Sequence, residues 1–192
     1  MAVRARERLL RTARELFYAE GVRAVGVERL LQTSGVGRAS FYRHFASKAE
    51  LVTAMLSEYD IEYRERLQAR VEELGGAPLA VFDAAAEDAE HNRYRGCAFL
   101  NVLAESTEPE QQIRRAVVDH KQAMTDYLAD LLESSNPSEA GALAAQWLLL
   151  LDGASSAARY RRDTTSYTEA RQLAEATLRR TSTTTETGLT GP

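Results

Sequence analysis

Apolar residues recur at helical spacing along nearly the whole chain, and no segment alternates apolar with polar residues as a half-buried strand would. In the first such segment, about residues 4–19, Leu9, Leu10, Ala13, Leu16 and Phe17 form one apolar stripe. Gly21 follows as a C-terminal stop. A short second helix over about 27–33 turns Val27, Leu30 and Leu31 inward. Ser34-Gly35-Val36-Gly37 is a turn, and a third helix over about 38–44 sets Phe41 and Phe45 four residues apart. The fold class this pattern predicts is all-α.

Past these three helices, Ser47-Lys48-Ala49-Glu50 has the form of a capping box, in which serine and glutamate satisfy each other's backbone amides. A long fourth helix is expected from there to about residue 73, ended by Gly75-Gly76-Ala77-Pro78. Further helices are expected near 78–92, 96–106, 109–134, 138–160 and 166–180, with Pro109 and Pro137 in first turns, where proline is tolerated. Residues 181–192, rich in threonine and glycine and without an apolar face, read as a disordered tail. The expected organisation is a helix-turn-helix domain over 1–46, a helical body over 47–180, and that tail.

The 192 residues suffice for one or two small packed domains. A membrane span needs roughly 18 apolar residues, whereas the longest mostly apolar stretch, Ala140 to Leu151, has twelve and contains Gln146. No basic-then-apolar leader opens the chain, so the expectation is a soluble protein of the cytoplasm. A single cysteine, Cys97, excludes an internal disulfide and a cysteine-rich zinc site.

Net charge is only −4, but it is divided unevenly. Residues 1–48 carry ten Lys and Arg against four glutamates, and residues 49–192 carry fourteen against twenty-four acidic groups. A basic end on an acidic body suits a segment that meets a polyanion, although solvated helix faces would show the same charge. The short third helix decides between these. With Phe41 and Phe45 claimed by the core, Arg38, Ser40, Tyr42, Arg43 and His44 are left on or near its other face. Arginine can bond guanine O6 and N7 together in the major groove. The hydroxyls and the imidazole can bond phosphate oxygens, as can Lys48 with the backbone amides of the next helix.

The stretch from Arg8 to Leu56 strongly resembles the DNA-binding domain of the tetracycline-repressor (TetR) family of bacterial transcription regulators. The resemblance rests on Ala13-Arg14-Glu15-Leu16-Phe17, Gly21, Val27 to Leu31, the run from Gly35 to Phe45, and Ser47-Lys48-Ala49-Glu50-Leu51. It implies a third helix that enters the major groove of a double-stranded operator, a two-fold homodimer, and DNA-contacting roles for Arg38, Ser40, Tyr42, Arg43, His44 and Lys48. Gly26 and Gly37 stand where the family usually opens its second and third helices with a polar side chain, which leaves backbone amides alone to meet phosphate there. Ala39 replaces a common glycine.

The body should then supply dimerisation, through the helices expected at 138–160 and 166–180, which family members pair as an intermolecular four-helix bundle. Trp147 reads equally as an interface anchor and as intramolecular core. The middle helices would enclose a small-molecule effector pocket. Tyr63, Phe82, Tyr94, Phe99, Asn101, Met124, Tyr127 and Trp147 are its candidate lining, although an aromatic stripe at helical spacing is more often core. The segment from Gly96 to Asn101 resembles one found in a subset of the family; Cys97 there reads either as a small buried hydrophobe or as a reactive thiol.

No set of three convergent metal ligands, no glycine-rich phosphate loop and no nucleophile elbow is legible, so neither an enzyme nor a cofactor is expected. The function expected is a ligand-responsive regulator, most simply a repressor. A constitutive DNA-binding dimer without effector, and a helical protein-interaction module, are the other readings the residues allow.

Overall fold

The computed structural model describes residues 2–106, 111–134 and 137–187, and among these every regular element is a helix. They are α1 (Ala2–Glu20), α2 (Val27–Ser34), α3 (Arg38–His44), α4 (Lys48–Glu73), α5 (Ala80–His91), α6 (Ala98–Glu105), α7 (Gln111–Glu133), α8 (Ala140–Arg161) and α9 (Thr165–Thr187). None of the helices so described is long and apolar enough to cross a membrane.

Local chemistry accounts for where several of these helices begin and end. Gly21 at φ +87° closes α1, its N–H bonding the Phe17 carbonyl at 3.0 Å. Gly35 at φ +63° closes α2 in the same left-handed geometry, which glycine adopts without steric cost. The capping box forms ahead of α4. Ser47 Oγ accepts from the Glu50 N–H at 3.1 Å, and Glu50 Oε2 accepts from the Ala46 N–H at 2.6 Å, one residue earlier than the usual return bond.

The chain divides into two compact units, Met1–Glu62 with Ala98–His120, and Tyr63–Cys97 with Lys121–Pro192. This partition differs from a division at residue 46, because α6 and the first part of α7 cluster with the N-terminal helices. In the first unit α1 packs against α2 and α3, and Leu9, Leu30, Phe41, Leu51 and Leu56 are fully enclosed. In the second unit α8 packs against α9, and α5 against both. Its core holds Phe82, Leu128, Leu132, Ala144 and Trp147.

The structure corrects two expectations. Pro137 lies in a turn ahead of α8 and not in its first turn. The last helix continues to Thr187, seven residues past its expected end, so residues 181–187 of the expected tail have helical backbone; residues 188–192 lie outside the described residues, as does Pro109. The acidic face of α5 meets arginines of α4. Glu87 accepts from Arg70 at 2.6 and 2.9 Å, and Asp88 accepts from Arg66 at 3.3 Å. These bonds tie α5 to the second half of α4, and the bond from Arg70 holds the Glu87 carboxyl below its ordinary pKa.

Candidate nucleic-acid interface

Within the first unit, α3 is held from one side by its aromatic residues. Phe41 is fully buried and Phe45 nearly so, with ring centroids 6.0 Å apart. That leaves Arg38, Tyr42 and Arg43 exposed, and Ser40 half-buried. Tyr42 keeps 49% of its surface open while its ring meets Phe41 edge-on at 5.1 Å, so the hydroxyl end is carried outward on a braced ring. Arg43 donates from Nη2 to Ser40 Oγ at 3.1 Å, one helical turn back. This bond orients the guanidinium and leaves its other donors for an acceptor beyond the helix.

Arg38 is engaged differently. Its guanidinium pairs with Glu28 in the first turn of α2, and both side chains are exposed. No local pattern signals this pair, because ten residues and a turn separate its members. Gly26 and Gly37 are the N-caps of α2 and α3, neither with a side-chain cap bond. A Cβ at either would meet nothing within 4 Å, so the backbone around both helix starts is open.

His44 is half-buried, with Nε2 enclosed and without a hydrogen-bond partner. Lys48 is also half-buried, and its Nζ donates to the Val22 carbonyl at 2.5 Å and lies 5.9 Å from the centroid of the Phe17 ring. Burial lowers its pKa below the ordinary lysine value, and the negative charge of Glu105 acts in the other direction. Arg38, Ser40, Tyr42, Arg43 and His44 thus share one short helix, with Lys48 at the start of the next. Of the six, Tyr42 and Arg43 combine exposure with a braced side chain.

Residues outside α3 fix the frame around it. Arg6 pairs with Glu58 at 3.0 Å and Arg14 with Glu62 at 2.7 Å, joining α1 to α4. His120 is buried, its Nδ1 2.6 Å from Asp60 Oδ1 and its ring stacked on Phe99 at 3.8 Å. Through these contacts His120 packs α7 against α4 and α6. No group of three or more His, Cys, Asp and Glu that could hold a metal occurs among the described residues.

The eight candidate pocket residues divide between the two units. Tyr63, Phe82, Tyr94, Met124, Tyr127 and Trp147 belong to or line the core of the second unit, whereas Phe99 and Asn101 belong to the first. Phe82 and Trp147 pack edge to face at 5.4 Å, and Trp147 Nε1 donates to Thr177 Oγ1 at 3.0 Å. Trp147 is fully buried within the chain, which makes it core and not an interface anchor. Tyr127 is half-buried, and burial together with the charge of Glu72 pushes its hydroxyl up to about 12. Cys97 is half-buried, with Lys121 Nζ 3.8 Å from its sulfur; that lysine also pairs with Asp152.

Comparison with known proteins agrees with this architecture. Residues 9–55 match the family model described as bacterial regulatory proteins, tetR family. The structure superposes on that of a TetR-family transcriptional regulator from Streptomyces coelicolor with a TM-score of 0.78 and 33% identity, covering 94% of this chain and 97% of that one. The chain is 28% identical over 134 residues to the HTH-type transcriptional repressor NemR of Escherichia coli strain K12, covering 67% of each. It is 28% identical over 178 residues to the HTH-type transcriptional regulator TtgR of Pseudomonas putida, covering 79% of this chain and 83% of the other. A helix-turn-helix that fits the family model, in a chain 33% identical to a family member over 94% of its length, means that the chain belongs to the TetR family of transcriptional regulators.

Proposed function

We propose that this regulator is a repressor that binds a near-palindromic operator as a homodimer, through α3 in the major groove, and is released by a small molecule. The observation that carries the reading is the outward face of α3, where Tyr42 and Arg43 stand exposed over a helix pinned by Phe41 and Phe45. Arg43 is assigned to a guanine edge, and Tyr42, Ser40, His44, Arg38 and Lys48 to phosphates. Residues 1–46 do the reading, and residues 47–180 supply dimerisation and effector binding. No catalytic step and no cofactor enters this account, and the protein works in the cytoplasm where the DNA is.

One such helix reads half an operator; two held about 34–36 Å apart read both halves. The α8 and α9 surfaces support a second copy of the chain as the partner. Leu149 and Tyr160 on α8 are each 72% exposed, and Leu173 on α9 is 59% exposed. The small residues Gly153 and Ser156 lie exposed between the two on α8, and small side chains allow close helix approach. Repression is favoured by the name of the Escherichia coli relative. Release is a population shift. DNA selects the conformer whose two recognition helices match the operator, and an effector selects another, with α4 as the lever.

Fluorescence anisotropy tests this with duplex DNA from upstream of the protein's own gene, against a scrambled duplex of equal length. Tight binding that resists the scrambled competitor, with two protomers per site, is expected. Equal binding to both duplexes would contradict sequence-specific regulation at that site.

A further inference from the structure

α6 ends on a carboxylate, Glu105. A negative charge in the last turn of a helix stands against the negative end of the helix dipole, so it costs the helix stability. The side chain is bound elsewhere. Glu105 Oε2 accepts from the backbone N–H of Arg23, in the turn between α1 and α2, at 3.2 Å. Both carboxylate oxygens sit over Gly21; a Cβ built there would lie 2.9 Å from Oε2 and 3.2 Å from Oε1. The positive φ favours glycine at 21, and a Cβ there would push the Glu105 carboxylate from its place.

The Arg23 N–H belongs to the same peptide group as the Val22 carbonyl, and that carbonyl is the acceptor for Lys48 Nζ at 2.5 Å. One planar peptide is therefore gripped at both ends by opposite charges, a carboxylate on its N–H and an ammonium on its C=O. Both bonds are charge-assisted, and each polarises the peptide in the sense that strengthens the other. Lys48 is the first residue of α4, four positions after the end of α3. An ammonium has three donors, and the bond to Val22 commits one of them while setting the direction of the rest.

We infer that Glu105 is a positioning residue for operator binding: through the Val22–Arg23 peptide it holds Lys48, and with it the first turn of α4, beside the recognition helix. The inference rests on the DNA-binding role given to Lys48 above. It makes the end of α6 a control point for the helix-turn-helix, because a displacement of Glu105 loosens the peptide and so the lysine, with no residue of the DNA-facing surface altered.

The test uses the full chain as wild type, E105Q, E105A, K48M and E105A/K48M, with two readouts. The first is the Arg23 backbone amide in a nitrogen–proton correlation spectrum without DNA. Its proton is expected to shift upfield in both E105Q and K48M, since each removes one charge from the same peptide. The second is operator affinity. E105A is expected to bind about tenfold more weakly with its thermal midpoint little changed, E105Q to fall between, and K48M to cost less on E105A than on wild type. An Arg23 amide that ignores K48M, wild-type affinity in E105A, or losses that simply multiply would overturn the inference while leaving the DNA-binding reading intact. A wild-type chain that binds no duplex contradicts that reading itself, and the Arg23 amide still reports whether the bridge exists. Should E105A fail to fold, E105Q, which keeps the shape and an acceptor oxygen, carries both measurements.

Discussion

At the scale of single residues, the proposed recognition surface is a contrast between side chains that are braced toward solvent and side chains that are occupied. Arg43 belongs to the first kind, held by Ser40 one turn back. Arg43→Ala is expected to weaken operator binding by about 1–3 kcal/mol while changing binding to random DNA far less; competition anisotropy measures both, and equal losses would make Arg43 a phosphate contact. Arg38 belongs to the second kind. Its pairing with Glu28 is exposed on both sides, and such a pair contributes roughly 0–1 kcal/mol to stability. Glu28→Gln is therefore expected to leave the thermal midpoint nearly unchanged, to tighten DNA binding by freeing a cation and removing a negative charge, and to steepen its salt dependence. Unchanged affinity would place Arg38 away from the DNA. Away from this surface, Tyr127 makes a pH-dependent contribution. Its folded pKa of about 12 lies above the ordinary value of 10.0. The stability it contributes is present below pH 10 and lost as pH rises toward 12, because the unfolded chain ionises first. The tyrosinate absorbance of wild type should contain a late component that Tyr127→Phe lacks.

At the scale of elements, the sequence and the structure agree because helix rules are local. Apolar spacing, Gly21 and Gly35 in left-handed geometry, and the Ser47–Glu50 box all act within a few residues, so the helices fall close to where the spacing places them. The aromatic pair on α3 is equally local, and it was enough to say which face of that helix stays open. What was not legible is long-range. Nothing about Glu105 in the sequence points to a peptide 82 positions away, nor does Asp60 announce His120. The identity of a tertiary partner depends on the packing of whole helices, which periodicity does not encode. Trp147 shows the same limit. Its helical position made it apolar-facing, but only the packing on Phe82 and the bond to Thr177 make it core. The local rules also make a prediction. Ser47→Ala removes the acceptor for the Glu50 N–H and should destabilise the fold by about 0.5–2 kcal/mol in urea unfolding. A smaller effect would mean that α4 is held at its start by tertiary contacts alone.

At the scale of the whole molecule, the unequal division of charge has a structural counterpart. The basic N-terminal segment supplies the helix-turn-helix, and the acidic remainder supplies all of the second unit. On α8, Leu143, Ala144, Trp147 and Leu151 are buried within one chain, whereas Leu149 and Tyr160, with Leu173 on α9, are exposed and are the side chains proposed to meet a second copy. Leu149→Glu combined with Leu173→Glu should yield a folded monomer by light scattering, with operator affinity lost along with the second half-site. A variant that stays dimeric would move the interface elsewhere. Selection of binding sites from a random duplex library tests most directly what α3 does in such a dimer. Wild type is predicted to enrich a near-palindromic site, and Arg43→Ala to relax the preference at one symmetric position in each half. Enrichment of no sequence, or of a single half-site without its inverted copy, would contradict the account.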